Sequence, residues 1–128
     1  MRNVMAAFLA AIVLAPLASA QPAENSSPCF SPRQFVSWKA SDPRTVYISV
    51  RPHHVYRLEL AGSCSLLTRF DSHLLSMFRS ASVCTPQDWD LKVSEGPGGP
   101  VEACVVKTMT ELTPQEADSL PAKFKPAF

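Results

Sequence analysis

Four cysteines, Cys29, Cys64, Cys84 and Cys104, are the residues of this chain best suited to chemistry. Thiols can bind zinc, exchange disulfides or close structural bridges, and their spacing separates these roles. Zinc ribbons and redox pairs place two cysteines close together as C-x-x-C, and that pattern does not occur here. An even count in a small chain reads instead as two disulfides. Three connectivities are open. The reading leans to Cys64–Cys84 with Cys29–Cys104, which would tie a central hairpin to its neighbour and the start of the domain to a central strand.

The other chemical groups lack organisation. His53 and His54 are adjacent, so in an extended chain they do not converge on one ion, and His73 has no set relation to them. Ser63 and Ser65 flank Cys64 without a nucleophile elbow. Asp88, Asp90 and Glu95 lack the spacing and glycine of a calcium loop, and alternation puts Asp88 and Asp90 on the outer face of a strand. Trp38, Trp89 and Tyr56 read as core. Parity takes Tyr47 off the core face and makes it the candidate for a binding surface. Arg44, Arg51, Arg57, Arg69 and Arg79 are scattered among acids. No catalytic set, metal or cofactor is expected, and the protein reads as a non-enzyme.

The stretch Thr45–Cys64 is the element around which these residues must be arranged. Val46, Ile48 and Val50 alternate with polar partners, as do Tyr56, Leu58 and Leu60. Each run has the period of a half-buried strand. To share one face, Val50 is expected to oppose Tyr56, Ile48 to oppose Leu58 and Val46 to oppose Leu60. An odd loop centred on His53 follows, with His53 able to take a left-handed turn conformation.

Upstream, Cys29 opens the ordered part. Phe30, Phe35 and Trp38 anchor a short strand or single helical turn. Downstream, Leu66–Val83 fits a helix through Leu67, Phe70, Leu74, Met77 and Phe78, while Leu74–Phe78 also fits a strand; periodicity does not choose. Trp89–Ser94 alternates as a strand, Glu95–Pro100 is a loop, and Val101–Thr110 returns to complete a second hairpin. Thr113-Pro114-Gln115-Glu116 is a capping box, with Leu112 set to pack on Ala117, and Pro121 stops the short helix that it starts.

Residues 1–20 carry Arg2, an apolar run over 4–15, Pro16 and Ala18-Ser19-Ala20. This is the pattern of a secretory signal peptide cleaved between Ala20 and Gln21. The run is shorter than the roughly 20 residues of a membrane span. Residues 21–28 read as a disordered leader, 29–121 as one stapled domain and 122–128 as a frayed tail. The chain has 12 basic and 11 acidic side chains, and loss of Arg2 leaves them balanced. Balance gives no reason to expect nucleic acid as a partner.

The order Cys29, Asp42-Pro43-Arg44-Thr45, Val55-Tyr56-Arg57-Leu58-Glu59-Leu60, Cys64, Cys84, Asp90, Cys104-Val105 and Leu112-Thr113-Pro114-Gln115-Glu116 resembles a family of small exported proteobacterial proteins catalogued as a domain of unknown function. The resemblance spans most of residues 21–128. It implies a periplasmic or secreted protein and nudges Leu74–Val83 towards strand. It brings no activity, cofactor or catalytic residue.

The expected fold is α+β and β-dominated: about five antiparallel strands in a small sheet or partial barrel, one short C-terminal helix and two disulfides. The expected function is a non-enzymatic periplasmic binding or interaction module, inhibitor-like in one form, with an envelope protein as partner and no integral membrane segment after cleavage. A structural envelope component and a small periplasmic enzyme are the alternatives.

Overall fold

A computed structural model of the chain describes residues 29–128. The signal peptide expected over residues 1–20, its expected cleavage between Ala20 and Gln21, and the leader expected over 21–28 lie outside the described residues. Among the described residues seven strands form two antiparallel sheets: β1 (Phe35–Asp42), β2 (Thr45–Val50), β3 (His54–Leu60), β4 (Ser72–Phe78), β5 (Trp89–Glu95), β6 (Val101–Cys104) and β7 (Val106–Glu111). One sheet runs β1-β2-β3-β7, the other β4-β5-β6. A short helix, α1 (Pro114–Asp118), follows β7. The β-dominated fold class is as expected from the sequence, with more strands than the five read there.

The β2–β3 hairpin keeps the expected parity but not the expected register. Val46 opposes Leu58, Ile48 opposes Tyr56 and Val50 opposes His54. The loop is therefore Arg51-Pro52-His53, with a cis bond before Pro52, and no non-glycine residue of the described chain has positive φ. A two-residue shift leaves every side chain on the same face, so alternation is blind to it. Val46, Ile48, Val50, Tyr56, Leu58 and Leu60 enter one core with Trp89, Leu91 and Val93 of the other sheet. Phe30 joins them beside Tyr56, Phe78 and Trp89. The Trp89 indole N–H donates to the Met109 thioether at 3.4 Å, which links β5 to β7.

Both readings of the chain's start hold in part. A 3-10 turn at Pro32–Gln34 leads directly into β1. Residues 66–83 divide similarly. Ser65–Thr68 is a 3-10 turn that buries Leu66 and Leu67, and β4 follows. The returning stretch after the glycine loop is also two strands rather than one. β6 pairs with β5, the chain breaks at Val105, and β7 crosses to pair with β3.

The disulfides are Cys29–Cys84 and Cys64–Cys104, which corrects the pairing favoured from the sequence. The Phe30 and Val83 backbones exchange hydrogen bonds of 3.0 and 2.8 Å, and this bridge sets Cys29 opposite Cys84. Cys64 lies just past β3, and Cys104 lies where the chain leaves β6 for β7, so this pair extends the β3–β7 ladder. The favoured pairing took neighbours in sequence for neighbours in space, but β4 belongs to the other sheet.

The tail is not frayed. Residues 122–124 make a 3-10 turn and Pro126 is buried. The Ala127 carbonyl accepts hydrogen bonds from the Ser37 and Ser49 hydroxyls. Apolar Pro126 gives the tail surface to bury, which its position beyond Pro121 does not reveal.

Candidate functional site

The three histidines are held apart. His53 sits exposed in the hairpin turn with its ring 5.0 Å from that of Phe128. His54 opens β3, with Nδ1 2.6 Å from Glu111 Oε1. His73 lies on β4, with Nε2 3.0 Å from Asp71 Oδ1. Among the described residues no three His, Cys, Asp or Glu side chains are grouped to hold a metal ion. Ser63 is exposed, and the Ser65 hydroxyl donates to Glu102 at 3.2 Å.

Asp88 departs from its expected place. It ends a 3-10 turn rather than facing out from a strand, and its carboxylate accepts from the Cys84 and Thr85 amides at 2.8 and 2.9 Å. The Ser80 hydroxyl adds a bond of 2.9 Å. The Cys84 and Thr85 amides, then Ser80, hold its carboxyl below the usual carboxylate range. Asp90 does lie on β5, where Ser76 donates to it at 3.0 Å and Arg79 and Lys92 approach to 3.8 Å. Glu95 closes the same strand.

Tyr56 and Trp89 are buried, and Trp38 packs on the core from its edge. Burial, then the nearby Glu111 carboxylate, pushes the Tyr56 hydroxyl up to about 12. Tyr47 stands half-buried on the outer face of the four-stranded sheet, between its cross-strand partners Lys39 and Arg57.

A more open site lies on the outer face of the three-stranded sheet. His73, Ser94 and Val101 form one row across β4, β5 and β6. Leu75 falls in a β-bulge of β4 between Leu74 and Ser76. Leu75 is 57% exposed and Val101 56%, and with His73, Ser94 and Gly96–Gly99 they line an open cleft of about 510 Å³. The Gly96 amide donates to the Asp71 carbonyl at 2.8 Å, and a Cβ on Gly96 would lie 2.8 Å from Asp71 Oδ2. The loop thus seats Asp71 beside His73 at the rim. Both side chains are 56% exposed, so water competes with their mutual hydrogen bond.

The sequence reading missed Leu75, Ser94 and Val101. A signal existed: Leu74 and Leu75 are consecutive, and a strand cannot bury both on one face. The tail-binding hydroxyls of Ser37 and Ser49 were also missed, since serine on an outer face looks solvated.

Two small antiparallel sheets around one core, held by two disulfides, define a stapled β scaffold. The chain belongs to the family of unknown function DUF6491, whose model matches residues 1–124. No curated protein and no solved structure matches it. Among the described residues no helix is long and apolar enough to cross a membrane.

Proposed function

We propose that the protein is an exported, non-enzymatic binding module that docks a protein partner on the outer face of β4-β5-β6. The observation that carries this is the pair of exposed apolar side chains, Leu75 and Val101, flanking the cleft. A partner's apolar side chain placed between them would cover both. Full burial of a side chain of that size stabilises by about 1.5–3 kcal/mol, which suits an anchor. His73 at the rim offers a polar contact that fixes orientation. Two register shifts in β4 make its edge a poor template for strand addition, so the face rather than the edge receives the partner.

Export is part of the proposal. It rests on the signal-peptide pattern of residues 1–20 together with two disulfides, which persist in oxidising compartments. The compartment is the periplasm or the exterior, and the partner an envelope protein. Inhibition of an envelope hydrolase is one form this binding takes, by analogy with other small stapled β proteins.

Crosslinking in periplasmic extract tests the reading. The wild-type protein should capture a partner that Leu75→Asp and Val101→Asp lose while keeping wild-type circular dichroism. Recovery of no partner, or of one that both variants retain, overturns it. A small hydrolase is the second reading, favoured by the Asp71–His73 hydrogen bond and by Ser94 standing opposite His73 on the next strand. Labelling of Ser94 by a serine-directed fluorophosphonate, lost in His73→Ala, would replace the first reading with this one.

A further inference from the structure

We propose that residues 122–128 are a displaceable strap over a peptide-binding groove on the four-stranded sheet, and that the groove takes an extended segment of another protein carrying proline, a small residue and an aromatic in that order.

The path of the tail defines the groove. Phe124 lines the same cleft as Lys39, Ala40 and Ser41 near the end of β1. Ala127 reaches Ser37 near the start of β1, and Phe128 reaches His53 in the hairpin turn. The tail therefore runs opposite to β1, across the outer face. Ala127 sits on Ser37 and Ser49, the first two members of a cross-strand row that continues to Val55. Alternation puts this row towards water, yet Ser49 is 0% exposed and Val55 is buried.

The groove reads a peptide in three ways. Two hydroxyls, 2.9 Å apart, converge on one main-chain carbonyl, that of Ala127. The proline before it is fully enclosed, and the aromatic after it lies against His53. Proline has no N–H to add to a ladder, and it pre-sets an extended backbone at low entropic cost. Recognition by hydroxyls and a proline pocket suits such a segment better than strand pairing does.

The strap can leave without opening the fold. The central core cluster contains no residue beyond Val106. The backbone hydrogen bonds of residues 124 and 125 run to Pro121 and Ala122, not to the sheet. The bonds it makes to the sheet are to serine hydroxyls, which water can replace. The family match ends at residue 124, so the groove lies in the matched region and Pro126–Phe128 do not.

A tethered strap competes as though present at millimolar concentration, so it should mask the groove from weak ligands. A fluorescent peptide of sequence AKFKPAF tests this on the full chain. Wild-type protein should bind it weakly. Pro126→Asp, which loosens the strap, should bind it at least about tenfold more tightly, since apparent affinity scales with the open fraction. Adding Ser49→Ala should reverse most of that gain. The proposal is overturned if Pro126→Asp keeps wild-type circular dichroism and tryptophan fluorescence but binds no better than wild type. Should that variant not fold, hydrogen exchange of the wild-type protein decides. Amides of the strap exchanging many-fold faster than those of β2 and β3 support a displaceable strap, and exchange only with global unfolding overturns it. A wild-type dimer dissolved by the peptide would show tails traded between copies, and would overturn the assignment to another protein.

Discussion

Asp88 shows how much one side chain can organise. Its carboxylate holds the Cys84 and Thr85 amides and the Ser80 hydroxyl, and so shapes the turn beside the Cys29–Cys84 bridge. Its folded pKa is lowered by those bonds, so the ionised form favours the native state. Its contribution is present above the ordinary aspartate value of 3.8 and is lost as pH falls through the lower folded value. Asp88→Ala should therefore lower Tm at neutral pH, and the gap to wild type should close in strong acid; a gap independent of pH would show that the charge is not involved. Glycines give a second prediction. A Cβ on Gly99 would meet the Glu95 carbonyl oxygen at 1.6 Å, whereas nothing lies within 4 Å of one on Gly62. Gly99→Ala should cost more than about 1 kcal/mol or remodel the cleft loop, and Gly62→Ala should stay within about 0.5 kcal/mol. Urea unfolding of the two variants compares them directly. Little of this was legible in the sequence. Asp88 looked like a strand residue because Trp89, Leu91 and Val93 alternate, and alternation does not mark the rung where a strand begins.

At the scale of elements, local chemistry was legible and non-local geometry was not. The capping box is present as read: the Glu116 amide donates to the Thr113 hydroxyl, and the Thr113 amide donates to the Glu116 carboxylate, both at 3.2 Å. Its parts lie within four residues, so nothing distant can rearrange them. The β2–β3 hairpin was legible in its faces and not in its register, because Val50 opposite His54 buries the same set as Val50 opposite Tyr56. Residues 66–83 fit helix and strand alike because a 3-10 turn followed by a bulged strand imitates part of a helical period. α1 is too short to be stable alone, so its cap should matter. Thr113→Ala should cost about 1 kcal/mol, measured by urea unfolding, because it orphans the Glu116 amide. No loss would mean that packing of Leu112 alone holds the helix start.

The whole molecule depends on where its two bridges fall, and this was the least legible feature. Pairing Cys29 with Cys84 follows from the Phe30–Val83 bridge, a contact between two short segments with no periodic signal. Pairing Cys64 with Cys104 follows from β7 crossing between sheets, which a single unbroken return strand from Val101 would not allow. On the chain-entropy model, loops of 40 and 55 residues make each bridge worth about 4 kcal/mol. A small domain's whole stability is about 5–15 kcal/mol, so reduction of both should unfold it, seen as loss of the strand signal in circular dichroism. The pairing has a direct readout as well. Cleavage after Arg57, Arg69, Arg79, Lys92 and Lys107 puts the last three cysteines in separate peptides, and cleavage after Arg33 isolates the first. Without reductant, the peptide 58–69 should travel with 93–107, and 80–92 with the peptide that ends at Arg33. If 58–69 were found joined to 80–92, the crossing of β7 and the Phe30–Val83 bridge would both be wrong. The inner faces of the two sheets would then no longer share one core, and neither outer face could be assigned a ligand.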